Sequence, residues 1–313
     1  MQQNRIFKNG MAKVLITGGT GIVGRHLCKL LLEKGYDVAL LSRSRKQESK
    51  IPSYTWNIEK EEIEKEAIAS ADFIVHLAGA NIGEKRWTEE RKQLILDSRV
   101  KSGQLIFNKV KEQNTSLKAF ITASATGYYG ALTSDKIFSE NDPAEDDFLG
   151  NVCEKWEQIT NNFDERGIRS IRIRTGLVLT QQGGALAKMT TPTKIGVGSA
   201  IGSGNQYMPW IHIDDLCGIY LKAIEDEQMQ GVYNAVAPEH HTSKTFMRSL
   251  AQVLKKPFWF PKIPSFVMKL LFGKMSEIVL KGSRVSSEKI TSQGYNFLFP
   301  NLKNALANLL TKD

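Results

Sequence analysis

Three glycines at intervals of three, Gly18, Gly21 and Gly24, follow an apolar run at 14–17 and open a stretch of helical periodicity. Glycine at the first two positions lets a backbone turn tightly and approach a pyrophosphate, whose charge then rests on the N-terminus of the next helix. The third allows close packing of that helix on the strand. The spacing is GxxGxxG rather than GxGxxG. In a strand-turn-helix setting it predicts a dinucleotide site along Gly18, Thr20, Gly21, Ile22, Val23 and Gly24. The end of the second strand indicates which dinucleotide. An NAD site usually places Asp or Glu there to bind the ribose hydroxyls, and this chain has Ser42 and Arg43. A carboxylate repels a 2′-phosphate, whereas a hydroxyl and a planar guanidinium bind one, with Arg45 and Lys46 adding positive potential. The expected cofactor is NADP(H), and a solvated basic loop is the competing reading of the same residues.

These residues need a frame, and the periodicity supplies one. Short apolar runs at 14–17, 38–41, 73–77, 120–123 and 171–174 alternate with amphipathic stretches, the pattern of parallel strands joined by crossover helices. A helix at 22–34 carries Leu27, Leu30 and Leu31 on one face and stops at Gly35. Another at 88–111 opens on Thr88, which can cap it, followed by two glutamates at the positive end of its dipole. The fold class is α/β, a Rossmann-like doubly wound parallel sheet. Beyond 179 the texture changes. A glycine-rich loop is expected at 181–206, then a helix at 210–221 and a strand at 231–236 that return to the sheet. From 238 on, helices at 243–254 and 265–271, broken by Pro257, Pro261 and Pro264, read as a smaller, mostly helical C-terminal substrate cap. The expected division is an NADP-binding domain over 11–180, rejoined by 205–237, and a cap built from 181–204 and 238–313.

Composition removes other classes. With 41% hydrophobic and 24% charged residues the chain can bury a core and is not disordered. Nowhere does it reach the roughly eighteen consecutive apolar residues that span a bilayer. Cys28, Cys153 and Cys217 are odd in number and widely spaced, which argues against a disulfide framework or a zinc site and for a reducing compartment. The first ten residues lack a signal-peptide core, Met11 reads as the natural start, and a cytoplasmic protein is expected. The net charge of +9 is scattered except at 43–50, and no nucleic-acid-binding signature accompanies it. The expected partner is therefore a small molecule, with neither nucleic acid nor membrane.

The stretches Thr17-Gly-Gly-Thr-Gly-Ile-Val-Gly24, His76-Leu-Ala-Gly79 and Trp210-Ile-His-Ile-Asp-Asp-Leu216 resemble the extended short-chain dehydrogenase/reductase superfamily, in its NAD-dependent epimerase/dehydratase group. The segments 80–87, 97–99, 124–130, 202–204 and 209–215 are similar to the branch called epimerase family proteins, which ends in a domain of unknown function. The resemblance implies that Leu77, Ala78 and Gly79 run along the cofactor, that Asn57 and Ile58 flank the adenine, and that Val178 lies by the nicotinamide. Arg99 falls where many superfamily members carry an active-site Asn. A cation there could reach the cofactor phosphates, and a surface helix charge is the alternative. Dimers through the helix at 88–111 are common in the superfamily, so a homodimer is possible.

Superfamily oxidoreductases use a Tyr general acid/base whose pKa is lowered by a Lys four residues on. No YxxxK occurs in this chain, and the alignment through Glu157 puts Leu149 and Cys153 at those positions. The remaining catalytic candidates are Ser124, Tyr128 and Tyr129, and a packed turn with buried aromatics explains the same residues. His76 and His212 read as structural hydrogen-bonders. Asp214 and Asp215 read as an N-cap and first-turn acid, with no metal expected. Two functions stay open. One is an NADP(H)-binding oxidoreductase or epimerase-like protein acting on a small carbonyl, hydroxyl or nucleotide-sugar-like substrate. The other is a non-catalytic NADP(H)-binding sensor or regulatory module, for example in cell division.

Overall fold

The computed structural model describes residues 12–44, 51–114 and 116–311, so Met11, Arg45 and Lys46 lie outside the described residues. Its strands are β1 (Lys13–Thr17), β2 (Asp37–Ser42), β3 (Ser53–Asn57), β4 (Glu62–Ile63), β5 (Phe73–His76), β6 (Ala119–Ala125), β7 (Ile137–Phe138), β8 (Arg169–Thr175), β9 (Leu177–Leu179), β10 (Trp210–His212), β11 (Gly231–Ala235) and β12 (Arg284–Val285). The helices are α1 (Ile22–Glu33), α2 (Lys65–Ala69), α3 (Glu89–Gln113), α4 (Phe148–Glu165), α5 (Gly184–Lys194), α6 (Ile213–Glu225), α7 (Ser243–Val253), α8 (Ser265–Phe272), α9 (Glu277–Leu280), α10 (Glu288–Ser292) and α11 (Leu302–Leu310).

Eight strands form one sheet in the order β11-β8-β6-β5-β1-β2-β3-β4. All neighbours run parallel except β3 and β4. The order reverses at β1, and ligands of open α/β sheets bind beyond the strand C-termini at such a switch point. Alternation along each strand builds two cores. Val14 and Ile16 join Leu27, Cys28 and Leu31 of α1 and the apolar face of α6 on one side. Leu15 joins Ala67 and Ile68 of α2, Leu105, Ile106 and Val110 of α3, and Phe163 of α4 on the other. This is the three-layer doubly wound architecture that the periodicity predicts.

On β8 the alternation carries charge. Ile171 and Ile173 enter the first core, while Arg172 and Arg174 turn to α4. Arg172 donates to Asn161 Oδ1 and Asp164 Oδ2 at 2.6 Å each, and Arg174 to both oxygens of Glu157 at 2.8 Å. Residues 157, 161 and 164 share one face of a helix, so α4 meets the sheet partly through ion pairs.

Two elements differ from expectation. The glycine-rich stretch contains α5, because Leu186, Thr190 and Thr193 recur at helical spacing and are buried, with Leu186 in a third core alongside Trp210, Phe246, Leu250, Leu302 and Leu306. Residues 210–212 are strand rather than helix. Trp210 and Ile211 are fully buried, a requirement extended backbone meets, and β10 pairs with β9 instead of the main sheet. The helix begins at Ile213, and its cap is His212, whose Nδ1 accepts from Asp214 N at 3.1 Å. Asp214 and Asp215 are thus both first-turn acids.

Asp215 also fixes the C-terminal segment. Its buried carboxylate accepts from the backbone N–H groups of Leu298 at 2.7 Å and Phe299 at 3.0 Å and from the Tyr295 hydroxyl at 3.1 Å. Replacing Asp215 with Ala leaves two buried N–H donors without an acceptor and is expected to cost about 3 kcal/mol, read as a lower urea midpoint. A variant within about 0.5 kcal/mol of wild type contradicts the anchoring role.

Candidate functional site

The glycine turn sits at the switch point. Gly18 adopts φ +69°, and a Cβ there would come within 2.9 Å of the Leu77–Ala78 peptide. At Gly24 a Cβ would overlap the Gly18 carbonyl oxygen. Gly21 is different: a Cβ there would meet only that same oxygen, at 3.2 Å, and otherwise open space. Gly21 caps α1 through backbone alone, without a side-chain hydrogen bond, and the first turn has no acidic residue. The N–H groups at the positive end of α1 therefore face an open, uncapped cradle, the arrangement that accepts phosphate. Thr20 is exposed and Ile22 and Val23 half-buried along its rim.

Thr17 locks this turn to β5. Its hydroxyl accepts from the N–H groups of Leu77 and Ala78 at 3.1 Å each and lies 2.7 Å from His76 Nδ1. Since the hydroxyl has a single proton, it donates to Nδ1. The His76 proton is then on Nε2, directed at Ser102 Oγ 3.1 Å away, whose own proton goes to the Ser98 carbonyl at 2.7 Å. Burial, reinforced by the Arg99 charge, holds the His76 pKa down at about 3. His76 is therefore a neutral structural link.

At the end of β2 the Ser42 hydroxyl donates to the Ser44 carbonyl at 2.5 Å, and Arg43 is exposed. Arg99 lies on the other side of the turn. Its guanidinium donates to the carbonyls of Ala80 at 3.1 Å and Ile95 at 2.8 Å and stacks on the Trp156 ring 4.9 Å from its centroid. Its carbon would stand 3.0 Å from a Cβ at Gly79. Burial lowers its pKa, and among the described residues no carboxylate forms an ion pair with it. A half-buried cation with only neutral partners beside Leu77, Ala78 and Gly79 is poised to meet an anion. Val178 is half-buried on β9, past the sharp turn at Gly176, where a Cβ would collide with the Pro209 carbonyl at 2.6 Å.

The catalytic candidates separate. Ser124 is buried and donates to Glu157 Oε1 at 2.6 Å. Tyr129 is 0% exposed, accepts from Arg174 at 2.9 Å and donates to Asn234 at 2.7 Å, and its pKa is raised chiefly by burial. Both belong to one network around the Arg174–Glu157 pair, so Tyr129 cannot reach a ligand. Tyr128 is half-buried, with its ring 3.3 Å from the Arg174 guanidinium carbon and no hydrogen bond to its hydroxyl among the described residues. Leu149 and Cys153 of α4 do face this turn, 3.4 and 3.9 Å from a Cβ at Gly127. Burial and the nearby Glu157 charge push the Cys153 thiol up to about 12, leaving it neutral. The positions that the resemblance aligns with a Tyr and a Lys thus carry an apolar chain and a neutral thiol. No group of three or more potential metal ligands is found among the described residues, and no helix there is long and apolar enough to cross a membrane.

Sequence reasoning did not foresee Trp156 beneath Arg99, nor the Thr17–His76–Ser102 chain. The buried Arg174–Glu157 pair was legible only as alternating Arg and Ile on a strand.

Comparison with known proteins adds the lineage. Residues 14–149 match the NAD dependent epimerase/dehydratase family and residues 263–309 a domain of unknown function, DUF1731. An epimerase family protein of Staphylococcus aureus is 35% identical, with 96% of this chain and 100% of that protein covered. Another, from Bacillus subtilis, is 33% identical over 95% of this chain and 97% of its own length. The crystal structure of a human epimerase family protein with NADPH superimposes with a TM-score of 0.86 at 32% identity, covering 96% and 99% of the two chains.

Two outcomes are expected from this geometry. Because folded His76 resists protonation while an unfolded His titrates near 6.5, stability is complete above that pH and falls with acid by about 2 kcal/mol between pH 7 and pH 5 from this group. Chemical denaturation at the two pH values, with His76→Gln removing the increment, checks this; an unchanged pH dependence in the variant contradicts it. Gly21→Ala should keep the urea midpoint near wild type while weakening dinucleotide binding about tenfold or more, because the methyl enters the open cradle. Unaltered binding in that variant would remove the phosphate from α1.

Proposed function

We propose, on the premise that this chain belongs to the epimerase family proteins of the NAD-dependent epimerase/dehydratase group, that it binds NADP(H) and acts as an oxidoreductase or epimerase-like enzyme. Its short-chain-dehydrogenase-like fold is one that binds NAD(P). The observation that carries the finer reading is the charge around the cradle. Arg43 stands just past the end of β2 and the incompletely partnered Arg99 over Gly79, and among the described residues no carboxylate stands at the end of β2, where an NAD ribose is normally held. In this reading α1 N–H groups hold the pyrophosphate, Ser42 and Arg43 the 2′-phosphate, and Arg99 a phosphate or an anionic substrate group. The backbone of Leu77, Ala78, Gly79 and Val178 flanks the remainder. Bound NADP(H) supplies or accepts a hydride at its nicotinamide.

The chain's own task is the proton. Ser124 and Tyr129 are committed to the Arg174–Glu157 network, so the hydroxyl left for a small carbonyl, hydroxyl or nucleotide-sugar-like substrate is that of Tyr128. Arg174 lies on the face of its ring. The buried free cysteines suit a reducing compartment, and the cytoplasm is the proposed location. A second reading has one observation in its favour: Leu149 and Cys153 remove the usual acid/base pair from α4 while the cradle stays complete. A non-catalytic NADP(H)-responsive module needs no more than that.

Arg43→Ala is expected to raise the NADPH Kd about tenfold to a hundredfold and to leave the NADH Kd nearly unchanged; equal losses for both nucleotides contradict the assignment of the 2′-phosphate. Across a panel of aldehydes, ketones and nucleotide sugars, the enzyme reading predicts NADPH consumption that Tyr128→Phe lowers about a hundredfold without altering NADPH affinity. Tight NADPH binding with no consumption anywhere in the panel favours the non-catalytic module.

A further inference from the structure

The C-terminal region carries a surface that the nucleotide site does not use. Helix α8 is apolar at six of its eight positions, yet Met268 is its only buried residue. Phe266 is 70% and Leu270 73% exposed, four residues apart on one face, with Leu271 beside them. The loop before α8 exposes Trp259 by 70% and also Phe260, their rings 5.7 Å apart. Isolated exposed apolar residues are ordinary, but five within residues 259–271 are the mark of an interaction surface.

This display is held in place. Gly202 N donates to the Ile263 carbonyl at 2.8 Å, Ile263 N to that of Ala200 at 3.0 Å, and the Ser199 hydroxyl to that of Pro261 at 2.6 Å. Its charge is one-sided: residues 255–276 hold five lysines and no acid. One of the five, Lys274, pairs with Glu89. Directly against the aromatics is a cavity of about 280 Å³ walled by Phe258 and Phe260, with Lys244, Arg248 and Lys262 around it and no carboxylate. Lys262 reaches the Ser203 carbonyl at 2.7 Å. Lys244 and Arg248 form no ion pair among the described residues.

We propose that this face docks on an anionic phospholipid surface, with Trp259, Phe260, Phe266 and Leu270 entering the acyl boundary and the Lys244–Arg248–Lys262 cavity receiving a lipid phosphate. Apolar side chains ringed by lysines suit the interface between headgroups and acyl chains, where cations meet anionic headgroups. Charge selects this occupant over a second copy of the chain, because a symmetric pairing would set lysines against lysines. Lying on a bilayer is distinct from spanning one, so this reading replaces the sequence-based expectation of no membrane partner without requiring a transmembrane helix. The C-terminus of α8 is tied to Arg86, which donates to the Leu270 and Leu271 carbonyls. Met275 and Ile278 pack against the cluster of Trp87, Ile95 and Val152, which Ala80, Ile82 and Leu149 also cover. Docking would therefore bring the roof of the candidate pocket to the lipid surface.

The test uses the full chain with vesicles of equimolar phosphatidylglycerol and phosphatidylcholine, against phosphatidylcholine alone. Of the five tryptophans only Trp259 is exposed, so the expected result is cosedimentation with the anionic vesicles and a blue shift of tryptophan emission. The triple variant Trp259→Ser/Phe266→Ser/Leu270→Ser should lose at least tenfold in vesicle affinity. Lys244→Gln and Arg248→Gln should each lose about fivefold. All these positions are exposed, and an unchanged far-UV circular dichroism spectrum verifies folding. Inorganic phosphate at the concentration of lipid phosphate should leave binding intact. The proposal is overturned by absence of binding to anionic vesicles or by equal binding of the triple variant. Full displacement by free phosphate, or a dimer in sedimentation equilibrium that the triple variant abolishes, also overturns it.

Discussion

The candidate site depends on one close approach, that of the Gly18 backbone to the Leu77–Ala78 peptide. Strands β1 and β5 pair with Thr17 opposite His76, and only a residue without Cβ and at positive φ lets the chain leave β1 so near its neighbour. The Thr17 hydroxyl fixes that approach by accepting from the N–H groups of Leu77 and Ala78, the former shared with the Thr17 carbonyl oxygen at 3.2 Å. Its single proton then sets the His76 tautomer, and His76 carries the constraint into α3 through Ser102. Because α3 is held there, Ser98 accepts from Ala80 N at 2.9 Å and Arg99 comes to lie over Gly79. One hydroxyl thus places the glycine turn proposed to accept phosphate, the backbone edge beside it and Arg99 over that edge.

The other half of the pocket rests on a buried ion pair. Arg174 and Glu157 are nearly inaccessible, and burying two charges is favourable only when their remaining hydrogen-bonding capacity is met. Ser124 donates to Glu157, and Tyr129 and the Glu140 carbonyl accept from Arg174, which is why two of three hydroxyls that looked chemically available are not. Burial draws the Arg174 pKa down, but the Glu157 hydrogen bonds outweigh it and hold the guanidinium charged. Arg174 lies on the face of the Tyr128 ring and through Glu157 joins α4 to the sheet.

Much of this was legible in the sequence. The glycine spacing, the apolar runs and Thr88 as a cap are local signals, and β1, α1, β2 and α3 lie where they point. What escaped was non-local. Helix α5 was hidden by its glycines, and Trp210–His212 looked helical because the helix that follows merges with it in an apolar run. The roles of Ser124 and Tyr129 turn on partners 33 and 105 residues away, which no spacing rule reveals. Arg99 was visible as a charge, but its neutral surroundings and the Trp156 ring beneath it were not. The lysines and aromatics before α8 read only as scattered charge between helices, and their exposure was not legible, since apolar residues at helical spacing normally face a core.

The proposed reading is that the open cradle at α1, with Arg43 and Arg99 near it and, among the described residues, no carboxylate at the end of β2, suits a dinucleotide with an additional phosphate. The most direct measurement is the pair of dissociation constants of the purified protein for NADPH and NADH, obtained by calorimetric titration under identical salt. The account predicts NADPH binding at least tenfold tighter. Equal affinity, or tighter binding of NADH, would contradict it.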